Sequence, residues 1–213
     1  MTTLRDYLKE TEFASTKLIQ AIWNDFNRAE KLKDKIQEQS KIVQIEYSRA
    51  LAMQRYAEDP DDVMAGVGRY WENYFGADKE VYHKAEKLED LTKLMAAREL
   101  SFTTLCGNLL EHAKKGLSLV YGHPNVWPTG KQIGSQGLSK IILEGRNQST
   151  HIDEAIKTGT YKKPDVATCF NKLAQDIDPV FADYLKRDMS FEIIQTLGWK
   201  TFNKYKSDML TII

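Results

Sequence analysis

Arg146, Asn147 and His151 are the residues of this sequence whose types and spacing best suit chemistry. On one helix, Asn147 and His151 are four residues apart and share a face, and the long side chain of Arg146 can lean toward the same groove. A guanidinium offers a planar fork of donors to phosphate oxygens, an amide positions a hydroxyl or phosphate, and histidine changes charge near neutral pH. Together these groups suit a phosphodiester. On RNA the neighbouring 2′-hydroxyl supplies the nucleophile, so no metal is required.

The surroundings of these residues favour a functional role over a structural one. An apolar helix start at residues 141 to 143 gives way to residues 144 to 151, which include no aliphatic side chain and are a poor core sequence. Gly145 is expected to loosen the helix and let Arg146 turn inward. The alternative is structural, because the same pattern arises by chance on solvated helix faces and at helix ends. Its position, after a long loop and in the most basic stretch of the chain, favours chemistry.

Charge and metal-binding residue types limit the kinds of site. The chain has 30 Lys and Arg against 30 Asp and Glu, so its total charge says nothing about nucleic acid. Locally, residues 131 to 163 hold six basic and three acidic side chains. The four histidines and two cysteines lack the spacing of a metal site, and we expect no metal or other cofactor. Cys106 and Cys169 lie in apolar contexts and are predicted to be buried thiols.

Composition predicts a chain that folds. Hydrophobic residues make up 42% and charged residues 28%, which lies outside the range typical of disorder. A length of 213 residues suits one domain, or one domain with a helical extension. No segment approaches the ~20 apolar residues needed to cross a bilayer, and the N-terminus lacks a secretion signal. The sequence therefore predicts a cytoplasmic protein without a membrane partner.

The elements that must position the motif are predicted to be helices. Apolar residues recur at helical spacing almost everywhere, so the predicted fold is all-α, a helical bundle with a long N-terminal helix or helical hairpin. The first element should run from about Thr11 to Tyr56, either as one helix or as two with a break at residues 38 to 40. An arm, or pairing with another chain, is suggested by apolar residues spaced by seven: Ile36, Val43 and Ala50.

Turn-forming residues delimit the other elements. A short helix with an aromatic stripe is expected after Pro60, ending at Gly76, and residues 79 to 120 predict two helices. Residues 121 to 137 are rich in glycine and proline and predict a long loop, after which the motif helix begins at or near Ser139. The remaining landmarks are a break at residues 157 to 165 and a final helix capped by Ser190.

The motif and its context resemble a known superfamily. Arg146-Asn147-x-x-x-His151 is similar to the R-x4-6-H signature of the HEPN superfamily of helical ribonucleases and toxins, in its R-N-x-x-x-H form. The similarity extends to GNLLEHAKKGLSLVYGH, to the loop containing IGSQGLS and to IILEGRNQSTH, and covers roughly residues 98 to 156. With it, the chain is predicted to comprise an N-terminal helical arm at 1–60, able to dimerise, and a HEPN-like domain at 61–213.

The resemblance implies a metal-independent endoribonuclease that cuts single-stranded RNA at a cleft between two copies of the chain and leaves a cyclic phosphate. Arg146 would bind the scissile phosphate, His151 would transfer the proton, and Asn147 would orient substrate or histidine. A toxin or phage-defence effector with an antitoxin or regulatory partner is also implied. HEPN toxins paired with a nucleotidyltransferase antitoxin carry a tyrosine where this chain has Asp153, so the resemblance does not imply that type of antitoxin.

The alternative function is a non-catalytic, all-helical RNA-binding or protein-interaction module, because many HEPN domains are not catalytic. Other candidate side chains are predicted to be structural, with auxiliary roles in the site as the alternative: His112 partly buried on its helix, His123 in a turn and Trp127 packed on the core. Three acidic residues are predicted to be surface carboxylates that keep the motif helix solvated: Glu144, Asp153 and Glu154.

Overall fold

The structure is a computed structural model that describes residues 3–55, 59–75 and 80–213. Most of these residues are helical, which confirms the all-α prediction. The elements are α1 (Leu4–Glu10), α2 (Glu12–Arg55), α3 (Pro60–Phe75), α4 (Glu80–Tyr121), β1 (Gln132–Ile133), β2 (Gln136–Gly137), α5 (Leu138–Thr158), α6 (Pro164–Asp176), α7 (Ser190–Leu197) and α8 (Phe202–Met209), with 3₁₀ turns at Pro124–Val126 and Pro179–Leu185. Among the described residues, no helix combines the length and apolar character needed to cross a bilayer.

Two long helices correct the predicted element boundaries. Helix α2 is continuous, so the alternative with a break at residues 38 to 40 is wrong. Helix α4 is also continuous, whereas two helices were expected between residues 79 and 120. Its glycines mark close approaches rather than breaks, because a Cβ at Gly116 would lie 2.4 Å from Cε1 of Tyr7. The predicted ends at Tyr56 and Gly76 lie outside the described residues.

Contacts divide the chain into two units. Residues 26–99 form one unit, here called the inserted unit, and residues 1–25 with 100–213 form the main unit. Within the inserted unit, α3 begins at Pro60 as predicted. Oδ1 of Asp59 caps it by accepting hydrogen bonds from the N–H groups of Asp61 and Asp62, at 2.8 and 3.0 Å. The predicted division into an arm at 1–60 and a domain at 61–213 stays a prediction.

Helix α5 lies in the core of the main unit. It packs against α6, α7, β2 and the Pro179–Leu185 turn. The largest fully buried side chains come from both ends of the chain and from the segments between, and include Leu8, Ile22, Leu109, Phe170, Trp199 and Tyr205. Cys106 and Cys169 are buried and unbridged, as predicted, and burial raises the pKa of both thiols, that of Cys169 to about 12.

The loop before α5 caps that helix. The N–H of Leu138 donates to the carbonyl of Lys131 at 2.9 Å, and that of Ser139 donates to the carbonyl of Thr129 at 3.2 Å. These bonds satisfy donors that a helix start leaves without intrahelical partners. The residue before the helix, Gly137, has no room for a side chain, because a Cβ there would lie 2.1 Å from Cγ2 of Thr129. The predicted start near Ser139 is confirmed, while the two-residue strands β1 and β2 were too short to produce an alternating pattern.

Two expectations for the C-terminal part are wrong in detail. Ser190 is the first residue of α7 rather than its cap, and its N–H donates to Oδ1 of Asp188 at 2.8 Å. The hydroxyl of Ser190 donates instead to the carbonyl of Thr103 on α4, at 2.9 Å. Helix α7 is also not the last helix, because α8 follows with Thr201 as its cap.

A buried carboxylate joins α8 to the loop before α5. Asp208 is 3% exposed and accepts hydrogen bonds from Nζ of Lys131 at 2.6 Å, Nζ of Lys204 at 2.9 Å and Nε1 of Trp199 at 2.9 Å. Burial alone would raise the pKa of Asp208, but these three hydrogen bonds outweigh it and the pKa is lowered. Asp208 therefore stabilises the folded chain in its ionised form.

We expect Asp208→Asn to lower the free energy of unfolding at neutral pH by about 2 kcal/mol, because it removes hydrogen bonds to a charged group. The contribution of Asp208 is complete above about pH 4, the pKa of an unfolded carboxyl, and is lost as the pH falls through the lower folded pKa. Urea unfolding across pH 2 to 7 should give a shallower acid decline for Asp208→Asn than for wild type or the surface control Asp153→Asn. Parallel curves would contradict this role.

Candidate functional site

A stripe of α5 forms one wall of a cavity of about 370 Å³ in the main unit. The opposite wall comes from the connection between α5 and α6 and from the first turns of α6. Asn147 and His151 therefore share a face, as predicted, and both line this space. The residues of the wall on α5 are Asn147, His151, Glu154, Ala155 and Thr158, and those opposite are Thr160, Tyr161, Lys162, Lys163 and Val166.

Arg146 does not line the cavity. Its Nε donates to Oε2 of Glu111 on α4, and the two side chains are 26% and 27% exposed. The guanidinium stays next to the cavity wall, because its Nη1 lies 3.4 Å from Oδ1 of Asn147. Arg146 was predicted to turn toward the groove shared by Asn147 and His151, but its guanidinium binds the carboxylate of Glu111 on the neighbouring helix α4.

Glu144 is buried rather than solvated, so the prediction of a surface carboxylate is wrong. Its side chain is 3% exposed, accepts a hydrogen bond from Nδ2 of Asn147 at 3.1 Å and lies 3.1 Å from Nζ of Lys140. Lys140 also contacts Asp165 on α6 at 2.9 Å. Burial acts to lower the pKa of Lys140, but the two carboxylates raise it by more. The amide of Asn147 is consequently held between Glu144 and Arg146.

His151 is half exposed at the edge of the cavity. Its Nδ1 lies 3.9 Å from Oε1 of Glu154, whose other oxygen contacts Nζ of Lys162 at 3.2 Å. The hydrogen bond from Lys162 lowers the pKa of Glu154. Glu154 is exposed, as predicted, yet it lies between two groups that face the cavity. The imidazole is therefore accessible to a molecule in the cavity and has a carboxylate on one side.

The residue between Asn147 and His151 that matters most for structure is Gln148. It is fully buried, its Nε2 donates to the carbonyls of Tyr184 and Arg187 at 2.9 and 2.8 Å, and its Oε1 accepts from the N–H of Met189 at 3.0 Å. These bonds join the motif helix to the segment before α7. The expectation that residues 144 to 151 make a poor core is therefore wrong for Gln148 as well as Glu144.

Helix α5 is regular at Gly145, so the expectation that this glycine loosens the helix is wrong. The helix runs unbroken from Leu138 to Thr158, and a Cβ at Gly145 would lie 2.4 Å from Cδ1 of Ile193 on α7. On the other side, a Cβ at Gly107 of α4 would lie 2.4 Å from Oγ of Ser149. The two glycines let the neighbouring helices approach α5 closely.

The other candidate side chains have structural roles away from the cavity. His112 is partly buried beside Tyr7, its Nδ1 lies 3.3 Å from Oγ of Ser15, and burial lowers its pKa. His123 accepts a hydrogen bond from the N–H of Asn125 at 3.3 Å and caps a 3₁₀ turn. Trp127 is 9% exposed and donates to the carbonyl of Gly122 at 3.1 Å.

Sequence reasoning missed Glu111, Tyr161 and Lys163 as members of the site. No local pattern marks Glu111, because its contact with Arg146 joins two helices, and the two residues are 35 positions apart in the sequence. In the part of the chain that the structure describes, no group of three or more His, Cys, Asp or Glu side chains is placed to hold a metal ion. No protein-family model, curated protein or solved structure matches the chain.

Replacing the buried amide should destabilise the fold. Gln148→Leu leaves the carbonyl of Arg187 and the N–H of Met189 without partners, and each orphaned buried group costs about 1–3 kcal/mol. We therefore expect the free energy of unfolding to fall by about 2–4 kcal/mol in a denaturant titration. Thr150→Ala, an exposed change on the same helix, is the control. A Gln148→Leu variant as stable as this control would show that the bonds contribute little.

Proposed function

We propose that the chain is a metal-independent endoribonuclease of HEPN type that cleaves single-stranded RNA. The observation that supports this proposal most is the position of His151, half exposed on the wall of a cavity and one helical turn from Asn147, with two lysines opposite. An accessible imidazole placed beside cations suits proton transfer at a phosphodiester. The resemblance of the motif to the R-x4-6-H signature assigns the same residues.

In the proposed reaction, the 2′-hydroxyl of the substrate attacks the adjacent phosphorus and the 5′-oxygen leaves. His151 takes the proton from the 2′-hydroxyl and then gives it to the leaving 5′-oxygen, and the cyclic phosphate remains on the first fragment. Asn147 is suited to orienting the substrate because its amide is held by Glu144 and Arg146. The step needs no metal, since charge on the phosphorane is stabilised by the arginine.

Arg146 must exchange partners to reach a phosphate. In the single chain its guanidinium is neutralised by Glu111, although a quarter of its surface is exposed. A phosphate approaching along the wall at Asn147 would compete for the N–H groups that Glu111 does not occupy. A second copy of the chain, with its own motif facing the first, would add the cations that complete the charge balance. A homodimer therefore belongs to this proposal.

A toxin or phage-defence role in the cytoplasm is part of the same proposal. A ribonuclease that cuts single-stranded RNA harms its own cell unless it is restrained, so we infer an antitoxin or regulatory protein as partner. The cavity at His151 is a surface that such a protein would cover. A nucleotidyltransferase antitoxin is not part of the proposal, because Asp153 stands where toxins paired with that antitoxin have a tyrosine.

A cleavage assay tests the proposal. End-labelled single-stranded RNA is incubated in EDTA with wild type, Arg146→Ala and His151→Ala, and both fragments and their 3′ ends are identified. We expect cyclic-phosphate ends from wild type and a rate reduced by a factor of about 10²–10⁴ in His151→Ala, the usual contribution of a general acid or base. His151 is half exposed, so its replacement should leave the thermal midpoint unchanged.

Asp153→Ala is the matched control for this assay, because Asp153 is exposed on the same helix and lies off the cavity wall. It should cleave like wild type. Equal cleavage by all variants would indicate a contaminating ribonuclease, and no cleavage by any of them would refute the catalytic proposal. Unfolding of His151→Ala would instead assign the histidine a structural role.

Mixing two inactive variants tests the composite cleft. If Arg146 of one copy acts with His151 of the other, Arg146→Ala and His151→Ala combined should recover about a quarter of wild-type activity, because about half of randomly formed dimers are mixed and each has one complete site. If each chain supplies a whole site, the mixture stays inactive. Sedimentation at the assay concentration must show that the variants still dimerise.

One observation favours the alternative, a non-catalytic RNA-binding or protein-interaction module. The arginine of the motif is engaged by Glu111 and could serve only to hold α4 against α5. In that case wild type would bind single-stranded RNA or a protein partner without cutting it, and Arg146→Ala would lower stability rather than a rate. The cleavage assay separates the two functions.

A further inference from the structure

The connection between α5 and α6 contributes a tyrosine with several contacts to the cavity wall. Tyr161 is half-buried, and its hydroxyl donates toward the carbonyls of Gln148 and Tyr184, at 3.2 and 3.3 Å. Its ring stacks on that of Tyr184 at 6.1 Å between centroids. Burial raises the pKa of the Tyr161 phenol, which keeps it a neutral donor. The aromatic ring is thus fixed in place before any ligand binds.

The cavity has an apolar floor and a cationic rim. Ala155 and Val166 are buried and line it together with Tyr161. Lys162 and Lys163 stand at the opening, opposed among the lining residues by one carboxylate, Glu154, which already contacts Lys162. Lys163 also precedes the first residue of α6, where the backbone N–H groups of the helix start add positive potential.

These features match the requirements of a nucleotide in single-stranded RNA. Unstacked bases bind against aromatic side chains and apolar surfaces, while lysines follow the phosphates. A volume of about 370 Å³ lies in the range of small-molecule sites. His151 borders the same space, so a base held there would have its phosphate beside the imidazole.

We propose that the cavity binds the nucleoside next to the scissile phosphate, with its base against Ala155, Tyr161 and Val166 and its outer phosphate on Lys163. The proposal rests on the proposed function and deepens it, because it assigns substrate selection to the connection between α5 and α6. Residues outside the R-N-x-x-x-H motif then decide which nucleotide flanks the cut.

The test uses the full chain and a short, fluorescein-labelled 2′-O-methyl RNA of mixed sequence, which lacks the 2′-hydroxyl nucleophile and is not cut. Thr158→Trp fills the cavity from its exposed rim. Ile156→Trp adds the same side chain to an exposed position of the same helix that does not line the cavity. Fluorescence anisotropy should show RNA binding about 5- to 150-fold weaker for Thr158→Trp, since one lost base contact is worth about 1–3 kcal/mol, and unchanged binding for Ile156→Trp.

Lysine variants test the phosphate contact without adding bulk. Lys163→Ala and Lys157→Ala each remove one positive charge from the same region, but only Lys163 lines the cavity. The slope of log Kd against log salt concentration should fall by about 0.7 in Lys163→Ala, which is the value for one phosphate contact on single-stranded nucleic acid. Lys157→Ala should change it by less.

The outcomes separate the cavity from the catalytic proposal. If Thr158→Trp binds RNA like Ile156→Trp, or if the two lysine variants give equal slopes, the nucleoside site is overturned while cleavage dependent on His151 still stands. If wild type cuts no RNA but Thr158→Trp loses binding, the cavity is an RNA-binding site, and the ribonuclease and the placement next to a scissile phosphate are both overturned. A wild-type chain that neither binds nor cuts RNA overturns both.

Discussion

The hydrogen bonds of Gln148 are the interaction on which the site depends. One buried amide holds α5 to the carbonyl of Tyr184 in the Pro179–Leu185 turn, and to the carbonyl of Arg187 and the N–H of Met189 between that turn and α7. Tyr161, in the cavity wall, donates to the carbonyl of Gln148 and to that of Tyr184, so the same junction also fixes the far side of the cavity. Gln148, Asn147 and His151 lie on the same helix. Because the buried Gln148 fixes the rotation of that helix, Asn147 and His151 face the cavity.

Local features of the fold were predictable from sequence, because they depend on neighbours along the chain. Helical periodicity gave the all-α class, the glycine-rich loop placed the start of α5 near Ser139, and a spacing of four put Asn147 and His151 on one face. The capping of α3 at Asp59 and Pro60 follows from the same kind of local rule.

Contacts between distant segments were not predictable in this way. Glu144 and Gln148 are polar and were expected at the surface. Glu144 has its partners on α5 itself but is buried by the packing of that helix, and the partners of Gln148 are reached only through that packing. The bond between Glu111 and Arg146 depends on how two helices align, which no spacing within either helix reveals. Gly145 suggested loosening of α5, although Gly107, Gly116 and Gly145 serve close approach between packed elements.

Three consecutive residues of α5 face three different environments: Arg146 meets a carboxylate of α4, Asn147 meets the cavity, and Gln148 meets the core. Each step along a helix turns the side chain by about 100°. Inserting or deleting one residue in α5 would therefore rotate every later side chain into its neighbour's environment, burying a charge or exposing the amide. Among homologues, helix α5 should therefore vary by substitution and keep its length, and insertions and deletions should occur in the connections before and after it.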